Sequence, residues 1–302
     1  MTSQPFARGR ASAPPSTQID NLGLLARLAG KWVGSGFNMI SKPGKDVGVE
    51  FVLQVNATSE TLTFDPIGGP VPNRGSVQGD INIFGLTYLQ EVSDATTGGA
   101  LHIERGMWLN VPPTTDPSQP QTIVRLSTIP HGDSVLAQGS GIAVSNTPPQ
   151  IENVSPMPFN QGGPILGGYF PPPPLPPSTD PVPFPPGFNL DNPNQALVDA
   201  LKGQTISEMV VLQVSTNKPF PADQQVLPGL PFGGGVLNIP FVEKNANAVS
   251  LDSVFWIETV APPAGSPPYT LPTMQLQYTQ TVILDFLGIH WPHISVATLV
   301  KH

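Results

Sequence analysis

His293-Ile294-Ser295-Val296-Ala297-Thr298-Leu299-Val300 alternates without a break. His293, Ser295, Ala297 and Leu299 fall on one face of an extended chain, and Ile294, Val296, Thr298 and Val300 on the other. A period of two in a run rich in β-branched residues is a strand. Its first face is small beyond the imidazole, so an inward-facing His293 would have a hollow beside it of the shape a flat cofactor needs; the alternative, which periodicity alone favours, is a hydrogen-bonded structural histidine. Pro292 removes an amide donor just before His293, which places the start of this strand at a rim.

The same period recurs outward from this run. Ala248 to Val260 and Thr273 to Phe286 precede it, and earlier come Lys31 to Ile40, Val47 to Thr58, Glu60 to Phe64, Gly75 to Phe84, Thr87 to Val92, Leu101 to Val111, Thr122 to Ile129 and Ser134 to Ala143. Gly, Pro, Asn and Asp turns separate them. Short, evenly spaced strands of this kind predict an all-β chain folded as an antiparallel up-and-down β-barrel of about ten strands. Gly30, Trp32, Gly34 and Gly36 share one side of the first strand. Glycine at period two weakens a strand, so it serves close backbone approach where the barrel closes.

Composition agrees. Proline makes up 39 of 302 residues, more than twice the usual ~5%, and an interior proline costs a helix about 3 kcal/mol, so a mainly helical fold is excluded. A hydrophobic content of 39% still supports a core. Thirteen Lys and Arg against 21 Asp and Glu leave a net charge of -8, which argues against nucleic acid as a partner. The absence of cysteine removes disulfides and thiolate chemistry, leaving His and carboxylates for any metal. No run approaches the ~18 apolar residues of a membrane span, and Met1 to Thr17 carries no apolar core of a secretory signal. The expectation is a cytoplasmic protein with no membrane partner.

Four segments follow from the pattern: a disordered arm over 1–19, the first part of the barrel over 20–145, a Pro/Gly-rich insertion over 146–245, and strands completing the barrel over 246–302. In the second, Asp20 is expected to cap a short helix carrying Leu22, Leu24, Leu25 and Leu28, with Gly30 past its end. The insertion holds the polyproline run Pro171 to Pro174, a short helix capped by Asn192 with Pro193 first and Gly203 last, and strands over Thr205 to Thr216 and Gly235 to Val242.

Few residues offer chemistry. His102 and Glu104 share one face of their strand, and would line a site if that face is the interior. His290 and His293 fall on opposite faces, which opposes a shared metal ion. His131-Gly132-Asp133-Ser134 lacks the alternating helices and triad partners of a hydrolase.

Three segments carry a family resemblance. Gly30-Lys31-Trp32-Val33-Gly34-Ser35-Gly36, after a Leu-rich helix, resembles the G-x-W-x-G-x-G opening of the nitrobindin-like haem proteins. Leu101-His102-Ile103-Glu104-Arg105-Gly106 is similar to that family's H-x-E-x-G segment, and Trp291 to Leu299 to its C-terminal P-H-L-x-A-x-L strand. The resemblance covers about Leu24 to Ala143 and Ala248 to Lys301. It implies a lipocalin-like barrel holding haem b, with His293 as the ligand of the iron and His102 lining the pocket. The family's Y-P-T segment, whose Thr contacts the haem, is replaced by Phe37 to Lys42, where Ser41 or Lys42 would make that contact. The implied chemistry is nitric oxide binding and isomerisation of peroxynitrite to nitrate at an open iron position, or peroxidase-like reaction with a peroxide. A homodimer paired across exposed haem edges is a further expectation. The rival readings are a carrier of a fatty acid or other apolar molecule in the same barrel, which needs no histidine at 293, and an interaction module displaying Pro171 to Pro174.

Overall fold

Ten strands built from the alternating runs close on one another in the computed structural model, which describes residues 15–43, 51–73, 78–130, 133–160, 163–164, 184, 186–216, 250–267, 270–286 and 289–301. They are β1 (Gly30–Pro43), β2 (Phe51–Pro66), β3 (Ile81–Asp94), β4 (Ala100–Val111), β5 (Thr122–Ile129), β6 (Asp133–Ser145), β7 (Ile206–Ser215), β8 (Ser250–Val260), β9 (Thr273–Phe286) and β10 (Ile289–Lys301). Each pairs antiparallel with the strand before it, and β10 returns to β1 with Trp32 opposite Lys301 and Met39 opposite Ile294. The result is the expected closed up-and-down barrel, with no open edge among these staves.

Several boundaries differ from the sequence expectation. From Phe51 on, the run expected over Val47 to Thr58 merges with Glu60 to Phe64 into β2, because Ser59 keeps the period of two through the polar stretch; residues 47–50 lie outside those described. Thr87 to Val92 joins the end of the preceding run as β3, whose ladder with β4 continues through Gly85. The leading helix, α1 (Pro15–Leu22), begins five residues before Asp20, inside the expected disordered arm. Pro15 at its first position is pre-set for a helix and Asp20 is interior to it, so Asp20 is not the cap. A 3₁₀ turn over Gly23–Arg27 follows, entered through Gly23 at φ 55°. Run 206–215 is a stave between β6 and β8, so the expected insertion over 146–245 is itself divided by barrel structure. Pro171 to Pro174, Gly235 to Val242 and His131 lie outside the described residues.

The interior face of every stave follows from its pairing. Leu22, Leu25 and Leu28 enter one end of the barrel and pack on Trp32, Leu62, Phe64, Trp108, Leu212, Phe255, Leu276 and Leu299. The Trp32 indole donates to the Leu28 carbonyl at 2.7 Å, which ties the plug to β1. Trp108 meets Phe255 edge-on and Phe255 stacks on Tyr278, with ring centres 5.2 Å apart in each pair. This end is therefore filled.

A second apolar cluster lies outside the barrel. Phe37, Met39, Val254, Trp256, Trp291, Ile294 and Val296 point outward and are covered by Ala196 and Leu197 of α2 (Gln195–Ala200), with Ile151, Val154, Phe184 and Phe188. Phe188 meets Phe37 edge-on at 4.9 Å. The described part of the insertion thus runs along the outer wall. Outward faces this apolar explain why β8 and β10 read as strong strands on both sides.

Candidate functional site

Above the aromatic floor the barrel interior turns polar. Arg125 on β5 enters it fully buried, boxed by the rings of Tyr88, Trp108 and Phe255 at 5.5 to 5.8 Å. Its Nη2 donates to Glu104 Oε1 at 2.7 Å, its Nε to the Tyr88 hydroxyl at 3.0 Å, and its Nη1 to Gln280 Oε1 at 2.6 Å and Ser253 Oγ at 3.2 Å. Tyr88 donates to the same Glu104 oxygen. Beside this group, Tyr278 donates to Glu60 Oε2 at 2.6 Å, Thr58 donates to Glu60 Oε1 at 2.8 Å, and Gln90 donates to the Tyr278 hydroxyl at 2.9 Å. Buried polar groups require partners of this kind.

The two carboxyls buried inside the barrel are driven apart by their neighbours. Burial works to raise Glu104, but the Arg125 guanidinium, helped by His102 and Tyr88, holds it well below the usual carboxylate range. Burial pushes Glu60 up, and the hydrogen bonds from Tyr278, Thr58 and Gln90 offset this only in part. Glu104 is therefore an anion paired with Arg125, while the Glu60 carboxyl is raised above the usual carboxylate range. Both tyrosines are raised by burial and remain neutral.

The two histidines singled out in the sequence stand over this layer. His102 is two residues beyond Glu104 on β4, in one row with Val92 and Glu60 on the adjoining strands. Its Nε2 lies 3.3 Å from Glu104 Oε2, and its side chain is 23% exposed. His293 is opposite Val282 on β9, and shares the interior face of β10 with Ala297 and Leu299 of the core. It is half-buried. Ser295 below it is opposite Gln280, which reaches Arg125. Both imidazoles thus sit on the interior side, toward the end of the barrel opposite the plug.

Amides complete this upper layer beside His293. Asn38 is opposite Ser295, and accepts from Asn56 Nδ2 at 2.8 Å; Asn56 in turn accepts from Gln54 Nε2 at 2.9 Å. Ser41 and Lys42 continue β1 opposite Leu53 and Val52, and their side chains lie outside those described. His290 is on the other side of β10 from His293, where its ring lies 5.5 Å from that of Phe159. Opposite faces for the two were expected from their spacing.

The residues can be matched against the cofactor implied by the resemblance. Among the described residues no group of three or more His, Asp or Glu converges to hold a bare metal ion. A haem asks for less: one inward imidazole, small neighbours beside it, and a floor that blocks the ring from sinking. Of these, His293 supplies the inward imidazole and Ser295 and Ala297 the small neighbours, with Ala297 packed in the core and the Arg125 layer lying across the interior. Sequence reasoning missed that layer. Its signal was a single Arg at the inward parity of β5, between Ile123 and Ser127, but its partners are distant in sequence.

No protein-family model matches the chain, and no curated protein matches it. Eight chains of solved structures match. One is the crystal structure of Rv2717c from M. tuberculosis, 14% identical, with 93% of this chain and 97% of that chain covered and a TM-score of 0.41.

Proposed function

We propose that the upper half of the barrel binds haem b through His293 and offers an open coordination position to a small ligand, namely nitric oxide, peroxynitrite or a peroxide. The observation that carries this reading is the placement of His293: interior face, half-buried, with Ser295 and Ala297 next to it on that face. His293 would supply the single axial imidazole. Ser295 and Ala297, the next residues on that face, carry small side chains. His102, 3.3 Å through Nε2 from the Glu104 carboxylate, shares the interior side of the barrel with His293 and would line the pocket. Arg125 keeps Glu104 ionised, and so keeps His102 oriented. When bound, the cofactor supplies a Lewis-acidic iron for oxides of nitrogen or peroxides.

The carrier reading has weaker support. An acyl chain entering the barrel would meet the Arg125 layer halfway, and below it the packed rings of Trp108, Phe255 and Tyr278.

The test is a hemin titration followed by visible absorption, with the protein and His293→Ala in parallel. A Soret band that saturates at one equivalent and is lost or shifted in the variant supports the proposal. No saturable band, or the same band in the variant, overturns it and leaves the apolar carrier.

A further inference from the structure

One buried carboxyl has no part in the chamber. Glu258 on β8 points to the outer side with Val254 and Trp256, and it is fully buried beneath the insertion. It is opposite Gln275 on β9, while Trp256 is opposite Gln277, so the four side chains form one patch. Gln275 Nε2 donates to Glu258 Oε2 at 2.6 Å, and the Gln275 and Gln204 amides are joined by two hydrogen bonds of 3.1 and 3.2 Å. Gln204 lies in the turn that follows α2. One step along, Gln277 Nε2 donates to the Leu197 carbonyl of α2 at 3.1 Å and to Thr298 Oγ1 at 3.0 Å. The glutamines are thus the polar fastening between α2 and the barrel wall, and Glu258 stands directly behind them.

The fastening is incompletely satisfied. Glu258 Oε1, Gln277 Oε1, Trp256 Nε1 and Asn194 Oδ1 are buried with no protein hydrogen-bond partner. An ionised Glu258 here would be a charge with a single donor, a costly arrangement in an apolar seam. As the neutral acid, its hydroxyl becomes a donor in a patch rich in carbonyl acceptors.

We propose that Glu258 is a protonation-controlled latch: its neutral form holds α2 and the turn to Gln204 on the outer wall of the barrel, and its ionised form loosens them. The charged groups on the elements around it leave it alone. On β7, Glu208 is turned to the plug and takes Arg27 at 2.6 Å; on α2, Asp199 takes Lys202 at 2.8 Å; and Glu152, on the covering segment, is exposed. On β8 and β9 the neighbours are Trp256, Gln275 and Gln277, which do not titrate. Burial accordingly pushes the Glu258 carboxyl up to about 8, with only the Gln275 hydrogen bond pulling it down.

The direction of the effect follows from linkage. A carboxyl exposed by opening titrates near 4.3, and the latched one near 8. Between those values the latched state holds more protons, so latching weakens as pH rises through the window, and changes no further above it. The limit is a tenfold rise in the local opening constant per pH unit.

Hydrogen exchange of the intact protein tests this, read by mass spectrometry on peptides spanning 194–204 and corrected for the intrinsic pH dependence of exchange. Protection of that segment should fall by more than a hundredfold between pH 5 and 8 and then level off. In Glu258→Gln, and in Glu258→Ala as a second variant, it should be independent of pH. A flat profile for the unmodified protein overturns the proposal whether or not the variants fold. A fall of the same size in either variant also overturns it.

Discussion

Arg125 Nη2 lies 2.7 Å from Glu104 Oε1, with both side chains closed off from solvent in the middle of the barrel. A buried pair of this kind adds little net stability over an apolar replacement of both partners, yet each partner is indispensable to the other. Arg125→Met would leave the Glu104 carboxylate with Tyr88 and His102 as its remaining polar partners. The expected loss is about 3–5 kcal/mol, read by urea denaturation at pH 7. Glu104→Gln should cost less, because the amide oxygen still accepts from Arg125. A loss below about 1 kcal/mol for Arg125→Met would contradict the assigned charge state.

Glu60 titrates in the opposite sense. Its native carboxyl is raised, so the folded state holds a proton that the unfolded chain has lost, and stability falls as pH climbs from about 4.3 toward the native value. Glu104, with its native carboxyl depressed, contributes stability above about 4.3 that is lost as pH falls. Glu60→Gln should make the decline above pH 5 shallower, by up to about 1.4 kcal/mol per pH unit, and leave the acid limb in place. Denaturation at pH 5, 6, 7 and 8 checks this. An unchanged slope excludes a proton on Glu60.

Closure of the barrel rests on bare backbone at β1. A Cβ at Gly36 would stand 2.1 Å from the Val296 carbonyl oxygen and 2.9 Å from the Ala297 Cα, both on β10. Gly36→Ala should destabilise by about 1–3 kcal/mol through forced separation of the two strands. Gly79→Ala, where a Cβ meets nothing within 4 Å, should stay within about 0.5 kcal/mol. Thermal unfolding of the two variants compares them directly, and equal melting temperatures would rule out the close approach.

The plug offers a contrast between packing and charge. Leu25 is fully buried at the filled end, and Leu25→Ala should cost about 2–5 kcal/mol. Two residues on, the Arg27–Glu208 pair is about half exposed on both sides, so Arg27→Ala should cost no more than about 1 kcal/mol at low salt. Chemical denaturation in 50 mM and 500 mM salt separates them: only the Arg27 effect should shrink.

The legible part of this protein was what a strand declares locally. A period of two is a property of neighbouring residues, so His293, Ser295 and Ala297 were known to share a face before any pairing was known. The pairing of His102 with Glu104 on one face was known in the same way. Even spacing and turn residues pointed to a barrel, and closure by β1 on β10 was foreshadowed by its glycines. The sequence therefore determined most of the staves, their antiparallel up-and-down arrangement, and the parity of both histidines.

Only the tertiary structure decided what those faces meet. Arg125 takes Glu104 from 21 residues away and Gln280 from 155, and Tyr278 reaches Glu60 across 218. No local pattern distinguishes such an Arg from one on a solvated face, since the distinction is made by strands that arrive later. The same holds for residues 206–215, which read as part of an insertion and became a stave once β6 and β8 flanked them. It holds again for Glu258, whose burial comes from the insertion laid on the outer wall. Alternation is written in each segment by itself, whereas burial, charge state and partnership depend on distant segments brought together by closure of the barrel.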